Sequence, residues 1–114
     1  MDNCIFCKIV RGEAPSQRLY HDEWITAFRD IHPQAPTHIL IISNKHIEGP
    51  LAVTADDAHL IGRIILAANR IAHQEGFAGG GFRIVANEGR DGGQLVDHLH
   101  FHLLAGRLLN WPPG

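Results

Sequence analysis

The spacing of apolar residues changes period several times along the chain, and each change predicts an element. Ile5, Phe6, Ile9 and Val10 recur at helical spacing over residues 4–11. Asn3 is placed to cap this short helix, and Gly12 followed by Pro15 to stop it. Residues 18–21 and 24–29 read as two strands joined at Asp22-Glu23, the second rich in the strand formers Trp24, Ile25, Thr26 and Phe28. The pattern then breaks at Asp30-Ile31-His32-Pro33-Gln34-Ala35-Pro36, where two prolines predict a rigid loop. Residues 37–43 form a nearly continuous apolar run, the mark of a strand covered on both faces. Alternation puts His38, Leu40 and Ile42 on one side of it and Ile39 and Ile41 on the other.

Residues 54–75 predict the one long helix. Thr54 stands at its N-cap, with Asp56 and Asp57 at the positive end of the dipole. Leu60, Ile61, Ile64, Ile65, Ala68 and Ile71 make its apolar stripe, and Gly76 ends it. Residues 81–87 and 98–104 read as the last two strands, joined by a glycine-rich turn over residues 88–94. Strands outnumber helices and do not alternate with them, so the expected class is α+β with a mainly antiparallel sheet.

Composition narrows the function. At 114 residues, 45% of them apolar, with no internal linker, repeat or low-complexity tract, the chain reads as a single domain. A net charge of −2 provides no global basic field, which argues against nucleic acid or an anionic membrane as partner. No apolar run is long enough to span a bilayer, and Met1-Asp2-Asn3-Cys4 lacks the apolar core of a secretory signal. The two cysteines, Cys4 and Cys7, do not make the disulfide framework of a secreted miniprotein. The expectation is a reduced, cytoplasmic protein whose thiols are free to act as thiols or as metal ligands.

The nine histidines are unevenly spread, and the sharpest feature is His98-Leu99-His100-Phe101-His102-Leu103-Leu104. On a strand, alternate residues share a face about 7 Å apart. The three imidazoles therefore point one way, and Leu99, Phe101 and Leu103 the other. That spacing is too wide for three strand histidines to chelate one ion unaided, because zinc–nitrogen bonds are only about 2 Å long. A histidine-rich surface stripe is the plain alternative; the best-fitting use is a row of polar groups along a bound anion. His38, alone on an apolar strand, is either a hydrogen-bonded core residue or a support for that row. Gly89, Gly92 and Gly93 let backbone N–H groups approach a phosphate closely, although an ordinary hairpin turn accounts for them equally well.

The His-x-His-x-His run followed by two apolar residues resembles the signature of the histidine triad (HIT) family of nucleotidyl hydrolases and transferases. Residues 30–38, the turn from Asn87 to Gln94 and the ending Trp111-Pro112-Pro113-Gly114 are similar to the Hint branch in particular. The resemblance implies a five-stranded antiparallel sheet with one long and one short helix, paired across a two-fold axis into a homodimer. It implies hydrolysis of purine nucleoside phosphoramidates of the AMP-amine type. By position, His100 would be the nucleophile and form a nucleotidyl-histidine. His102 would contact the phosphate and help the leaving group depart, the carbonyl of His98 would fix the tautomer of His100, and His38 would hold the row. Asn87 and Gln94, with Gly93 and Val96 beside them, would face the phosphate, and Asp30 the ribose hydroxyls. Ile5, Phe6, Ile9, Phe28, Ile31 and Leu40 would wall the base. No cofactor is implied for catalysis.

Three positions depart from the branch pattern: Leu95 stands where a serine is usual, Asp97 where an aromatic is, and Ala105 where a glycine is. The resemblance also gives the Cys4/Cys7 pair a use, as half of a structural zinc site completed by His46 and His98; two small buried thiols are the other reading. Three further functions stay open: a dinucleoside polyphosphate hydrolase of the Fhit-like branch, a non-catalytic nucleotide-binding adaptor, and a zinc-dependent structural or regulatory protein in which Cys4, Cys7 and His46 matter more than His100. The Trp-Pro-Pro-Gly ending points away from the first of these, and Leu95 toward the second.

Overall fold

The apolar run Thr37–Ser43 becomes the central strand, β3, in which every residue after Thr37 is buried. The structure is a computed structural model and describes residues 3–114. Met1 and Asp2, part of the stretch read as lacking a secretory signal, lie outside the described residues. β3 pairs antiparallel with β2 (Ile25–Arg29) on one side and β5 (His100–Ala105) on the other. β1 (Arg18–His21) lies beyond β2 and β4 (Arg83–Ala86) beyond β5, giving the order β1-β2-β3-β5-β4 with every pairing antiparallel.

Two helices cover the two faces. α2 (His59–Gln74) lays Leu60, Ile64, Ala67, Ala68 and Ile71 over Ile25, Ala27, Ile39, Ile41, Leu99 and Leu103. On the other face α1 (Ile5–Val10) packs Phe6 and Ile9 on Phe28, Leu40 and Ile42. Each large side chain so buried stabilises the fold by about 1.5–3 kcal/mol relative to exposure. The register decides which side the histidines take. Leu40 lies opposite His102 and Ile42 opposite His100, whereas Ile39 and Ile41 lie opposite Leu103 and Phe101. Directly opposed residues share a face, so His100 and His102 stand on the α1 side of the sheet. The α+β class and the five-stranded antiparallel sheet with one long and one short helix are thus what the residues form.

Element ends differ from the sequence reading, each for a local reason. Cys4, not Asn3, caps α1, its sulfur accepting the Cys7 N–H at 3.4 Å. Gly12 does follow the helix with a φ of +76°. β2 begins at Ile25 rather than Trp24, because Asp22 Oδ1 accepts the N–H groups of both residues. A 3₁₀ turn over Ala55–Asp57 precedes α2, so the long helix starts at His59 and the Thr54 side chain makes no cap bond. Ile65 is exposed, and Ala67 and Ala72 complete the buried stripe instead. β4 starts at Arg83, after Gly81 has turned the backbone to a φ of +84°. β5 starts at His100 rather than His98, because the Leu99 N–H leaves the ladder and donates to Ile47 O at 2.6 Å.

Candidate active site

That last shift divides the histidine run. His98 precedes the regular strand and is fully buried, turned toward α1, while His100 and His102 remain on β5. The expected row of three imidazoles along an anion is therefore a row of two. All three still lie on the α1 side: the Phe6 ring meets the His98 ring edge-on at 5.7 Å and the His100 ring at 5.2 Å.

Hydrogen-bond partners assign the proton on each ring. His98 Nε2–H donates to Ser43 O at 2.6 Å, which leaves its Nδ1 with a lone pair. His100 Nδ1–H donates to the backbone carbonyl of His98 at 2.6 Å, which leaves Nε2 as the basic nitrogen. His38 Nδ1 accepts the Gln34 N–H at 3.0 Å, so its own proton sits on Nε2. That proton is donated to His102 Nδ1 at 2.9 Å, with Asp30 Oδ2 3.4 Å from the same His38 nitrogen. His102 must then carry its proton on Nε2. Its ring lies 5.1 Å from that of His100. A free nucleophilic nitrogen and an N–H donor thus sit on neighbouring rings of one strand face.

Burial keeps the supporting rings uncharged. It holds His98 down to about 4, and the neighbouring His46 and His100 push the same way. It also holds His102 down to about 4, reinforced by His100 and His38. His38 is lowered by burial too, against the opposing pull of the Asp30 carboxylate.

A second cluster lies immediately behind the first. Cys4 Sγ is 3.2 Å from His98 Nδ1, and Cys7 Sγ is 3.3 Å from His46 Nδ1 and 3.6 Å from His98 Nδ1. The four donor atoms lie within 4.8 Å of one another. A tetrahedral ion with zinc-like bonds to sulfur and nitrogen needs sulfur–nitrogen separations of about 3.5 Å. The donor set fits such an ion, and the lone pair of His98 already faces the thiols.

The remaining residues named from the sequence fall into three groups. Phe6, Ile9, Phe28 and Leu40 form a buried apolar cluster with Val96 packed against it, whereas Ile5 and Ile31 are exposed. Asp30 uses Oδ1 to accept the His32 N–H at 2.8 Å. Asn87 Nδ2–H donates to Gly92 O, and the Gln94 amide bonds Gly89 N, Glu48 O and Val96 O. The N–H groups of Gly93 and Gln94 bond back to Arg90 O and Gly89 O. In this structure the glycine turn is a closed hairpin turn whose amides hold it together. Gly92 is required there, since a Cβ would lie 2.4 Å from Glu88 O. Leu95 is almost fully exposed. The sequence reading missed the part played by Gln34, whose backbone N–H sets the His38 tautomer; its place before Pro36 carries no signal of that.

Comparison with known proteins places nearly the whole chain among close relatives. The family model for the HIT domain matches residues 11–109. The purine nucleoside phosphoramidase of Escherichia coli (strain K12) is 52% identical over 108 residues, which is 95% of this chain and 91% of that one. The crystal structure of a HIT family hydrolase from Legionella pneumophila Philadelphia 1 superposes with a TM-score of 0.95 at 50% identity, covering 98% of this chain and 100% of that one. A histidine triad protein from Clostridium difficile superposes with a TM-score of 0.93 at 44% identity over 96% and 95% of the two chains.

Proposed function

The chain belongs to the HIT domain family, and on that premise we propose that it cleaves purine nucleoside 5′-phosphoramidates of the AMP-amine type through a nucleotidyl-histidine on His100. It is a hydrolase of the histidine triad type. The observation that carries the finer reading is the His100 tautomer: with Nδ1–H held by His98 O, the Nε2 lone pair is free to attack. In the first step Nε2 bonds to the α-phosphorus, the phosphorus–nitrogen bond to the leaving amine breaks, and the amine departs with an added proton. In the second, water attacks the same phosphorus, returns the electron pair to His100 and releases the nucleoside monophosphate.

His102 is the group that can serve the leaving nitrogen, since its Nε2 carries a proton. It is neutral in the empty site, and the negative charge of a bound phosphoramidate favours its protonated form. Leu95 offers no hydroxyl, so this chain leaves that proton to His102. The apolar cluster around Phe6, Ile9, Phe28 and Leu40 suits a flat base, and Asp30, beside His38, suits a ribose. No cofactor enters these steps.

Cys4, Cys7, His46 and His98 would hold a structural zinc, which would tie the start of α1 to the residue whose carbonyl orients His100. Free thiols at Cys4 and Cys7 suit the reducing cytoplasm. Among the described residues no helix is long and apolar enough to cross a membrane. The exposed Leu66, Leu108 and Trp111 suit burial against a second copy, and sedimentation at micromolar concentration tests that dimer.

The test is turnover of an adenosine 5′-phosphoramidate with a lysine or alkylamine leaving group, followed by phosphorus NMR. The expected result is release of AMP by the wild type, a nucleotidyl adduct on His100 in rapidly quenched protein, and neither in His100→Ala. Turnover by His100→Ala at the wild-type rate would refute the covalent route. Tight AMP binding with no turnover by the wild type would select the adaptor reading.

A further inference from the structure

The His38 and His102 tautomers rest on one peptide group in an irregular loop. Residues 30–36 belong to neither a strand nor a helix, yet the Gln34 N–H must stay on His38 Nδ1 for the His38–His102 chain to keep its direction. Bonds within the loop, from His32 N–H to Asp30 Oδ1 and from Gln34 Nε2–H to His32 O, shape it, and at its start the Asp30 N–H donates to His38 O on β3 at 3.0 Å.

The Gln34 carbonyl is held from 73 residues further along the chain. Arg107 Nη2–H donates to Gln34 O at 3.1 Å, and Nη1–H of the same guanidinium donates to Leu108 O at 3.2 Å. Arg107 follows the end of β5, which also carries His102. Gly106 brings the two segments together: a Cβ there would lie 2.7 Å from Pro36 Cβ, and its φ is +99°.

We propose that Arg107 is a positioning residue for the phosphoramidate reaction. It clamps the Gln34 peptide, fixes the His38 proton on Nε2 and so keeps the His102 proton on the nitrogen that serves the leaving group. This rests on the function proposed above. Without the clamp the peptide can rotate off His38, which then takes up the tautomer with its proton on Nδ1. His38 Nε2 becomes an acceptor, His102 must supply the proton between the rings from Nδ1, and His102 Nε2 is left bare. The defect falls on protonation of the leaving group, while the apolar base cluster and His100 keep their own partners.

The experiment compares wild type, Arg107→Ala and Arg107→Lys in two assays. Long-range nitrogen–proton NMR of histidine-labelled protein reads the tautomers directly. The expected result is a proton on Nε2 of both His38 and His102 in the wild type, an Nδ1-protonated population of His38 in Arg107→Ala, and its reversal in Arg107→Lys, which keeps one donor for Gln34 O.

Kinetics use an adenosine phosphoramidate of an alkylamine beside the nitrophenyl ester of AMP, whose leaving group departs without a proton. Loss of one hydrogen bond from an exposed guanidinium predicts that kcat for the amine falls about fivefold in Arg107→Ala. KM and the rate on the nitrophenyl ester stay near wild type, and the lysine variant recovers most of the loss. Unchanged tautomers, an equal loss on both substrates, a change confined to KM, or no recovery with lysine would each overturn the proposal. If the wild type turns over neither substrate, the proposed function fails, and the NMR comparison still decides whether Arg107 governs His38.

Discussion

Acid is expected to destabilise the fold through His102. The perturbation is a fall in pH from 7 to 4, and the structure sets both its sign and its size. Burial, with the neighbouring His100 and His38 acting the same way and Asp30 opposing, lowers this imidazole from 6.5 to about 4. Above 6.5 the ring is neutral in the folded and the unfolded chain and makes no difference between them. Between 6.5 and 4 the unfolded chain takes up a proton that the folded chain refuses, so stability falls as the pH falls. Below about 4 both states hold the proton and the loss is complete. A shift of that size, at 1.36 kcal/mol for each pH unit, amounts to about 3 kcal/mol. That is a substantial part of a total domain stability of about 5–15 kcal/mol. His98, also held down to about 4 by burial, adds a loss of the same sign in metal-free protein.

Urea unfolding at pH 7, 5.5 and 4 measures it, with His102→Gln as the comparison. The wild type should lose stability across that window, and His102→Gln, which has no ring to titrate at this position, should lose about 3 kcal/mol less. Equal pH slopes for the two proteins would refute the reasoning. So would wild-type stability that stays level or rises from pH 6.5 to 4.

Other parts of the structure give further expectations. Protein purified without chelator should carry about one zinc per chain, and Cys7→Ser should lose it, with a lower melting temperature that chelator reproduces in the wild type; equal metal content in the two would refute the four-ligand site. Phe6→Ala should cost about 3–5 kcal/mol in urea unfolding, because it empties the ring site between Phe28, His98 and His100; a cost below about 1 kcal/mol would show that α1 is held elsewhere. Gly92→Ala should destabilise the protein and open the glycine turn, since its Cβ would meet Glu88 backbone at 2.4 Å; hydrogen exchange at the Gly89 and Gln94 amides would report the opening, and unchanged protection would refute it.

How much of this was legible depended on whether a residue's role follows from local pattern. The run of β3 gives its own boundaries, because a strand covered on both faces carries the unbroken apolar stretch Ile39–Ile42 at its centre. The alternation of His100 and His102 likewise gave their common face. His98 escaped the pattern because Ile47, which draws the Leu99 N–H out of the ladder, is a loop residue distant in sequence. The late start of α2 escaped because Ala58 N–H bonds Ala55 O and closes a 3₁₀ turn, which the same apolar spacing permits. Asn87 and Gln94 have side chains able to bind a phosphate or a turn, and only coordinates show them bonded within the turn. Gln34 acts through its main-chain N–H, which side-chain identity does not report.

Main-chain groups also explain why proton placement at this site is robust. Ser43 O fixes His98, His98 O fixes His100, and Gln34 N–H fixes His38, which in turn fixes His102. Two of these three anchors belong to the sheet region: Ser43 ends β3, and His98 leads into β5. Their carbonyls move only if the strands move, so the His100 tautomer should survive most substitutions short of unfolding. The third anchor lies in the loop, and every tautomer from His38 onward inherits the loop's stability rather than the sheet's. On the route proposed above, proton delivery is therefore the step at which substitutions outside the imidazoles would reach the chemistry, while His100 would be shielded from them. A scan of loop residues 31–36 should accordingly alter turnover of amine substrates and leave the pH-independent yield of the His100 adduct from the nitrophenyl ester intact. A loop variant that abolishes the adduct while the protein stays folded would contradict this division.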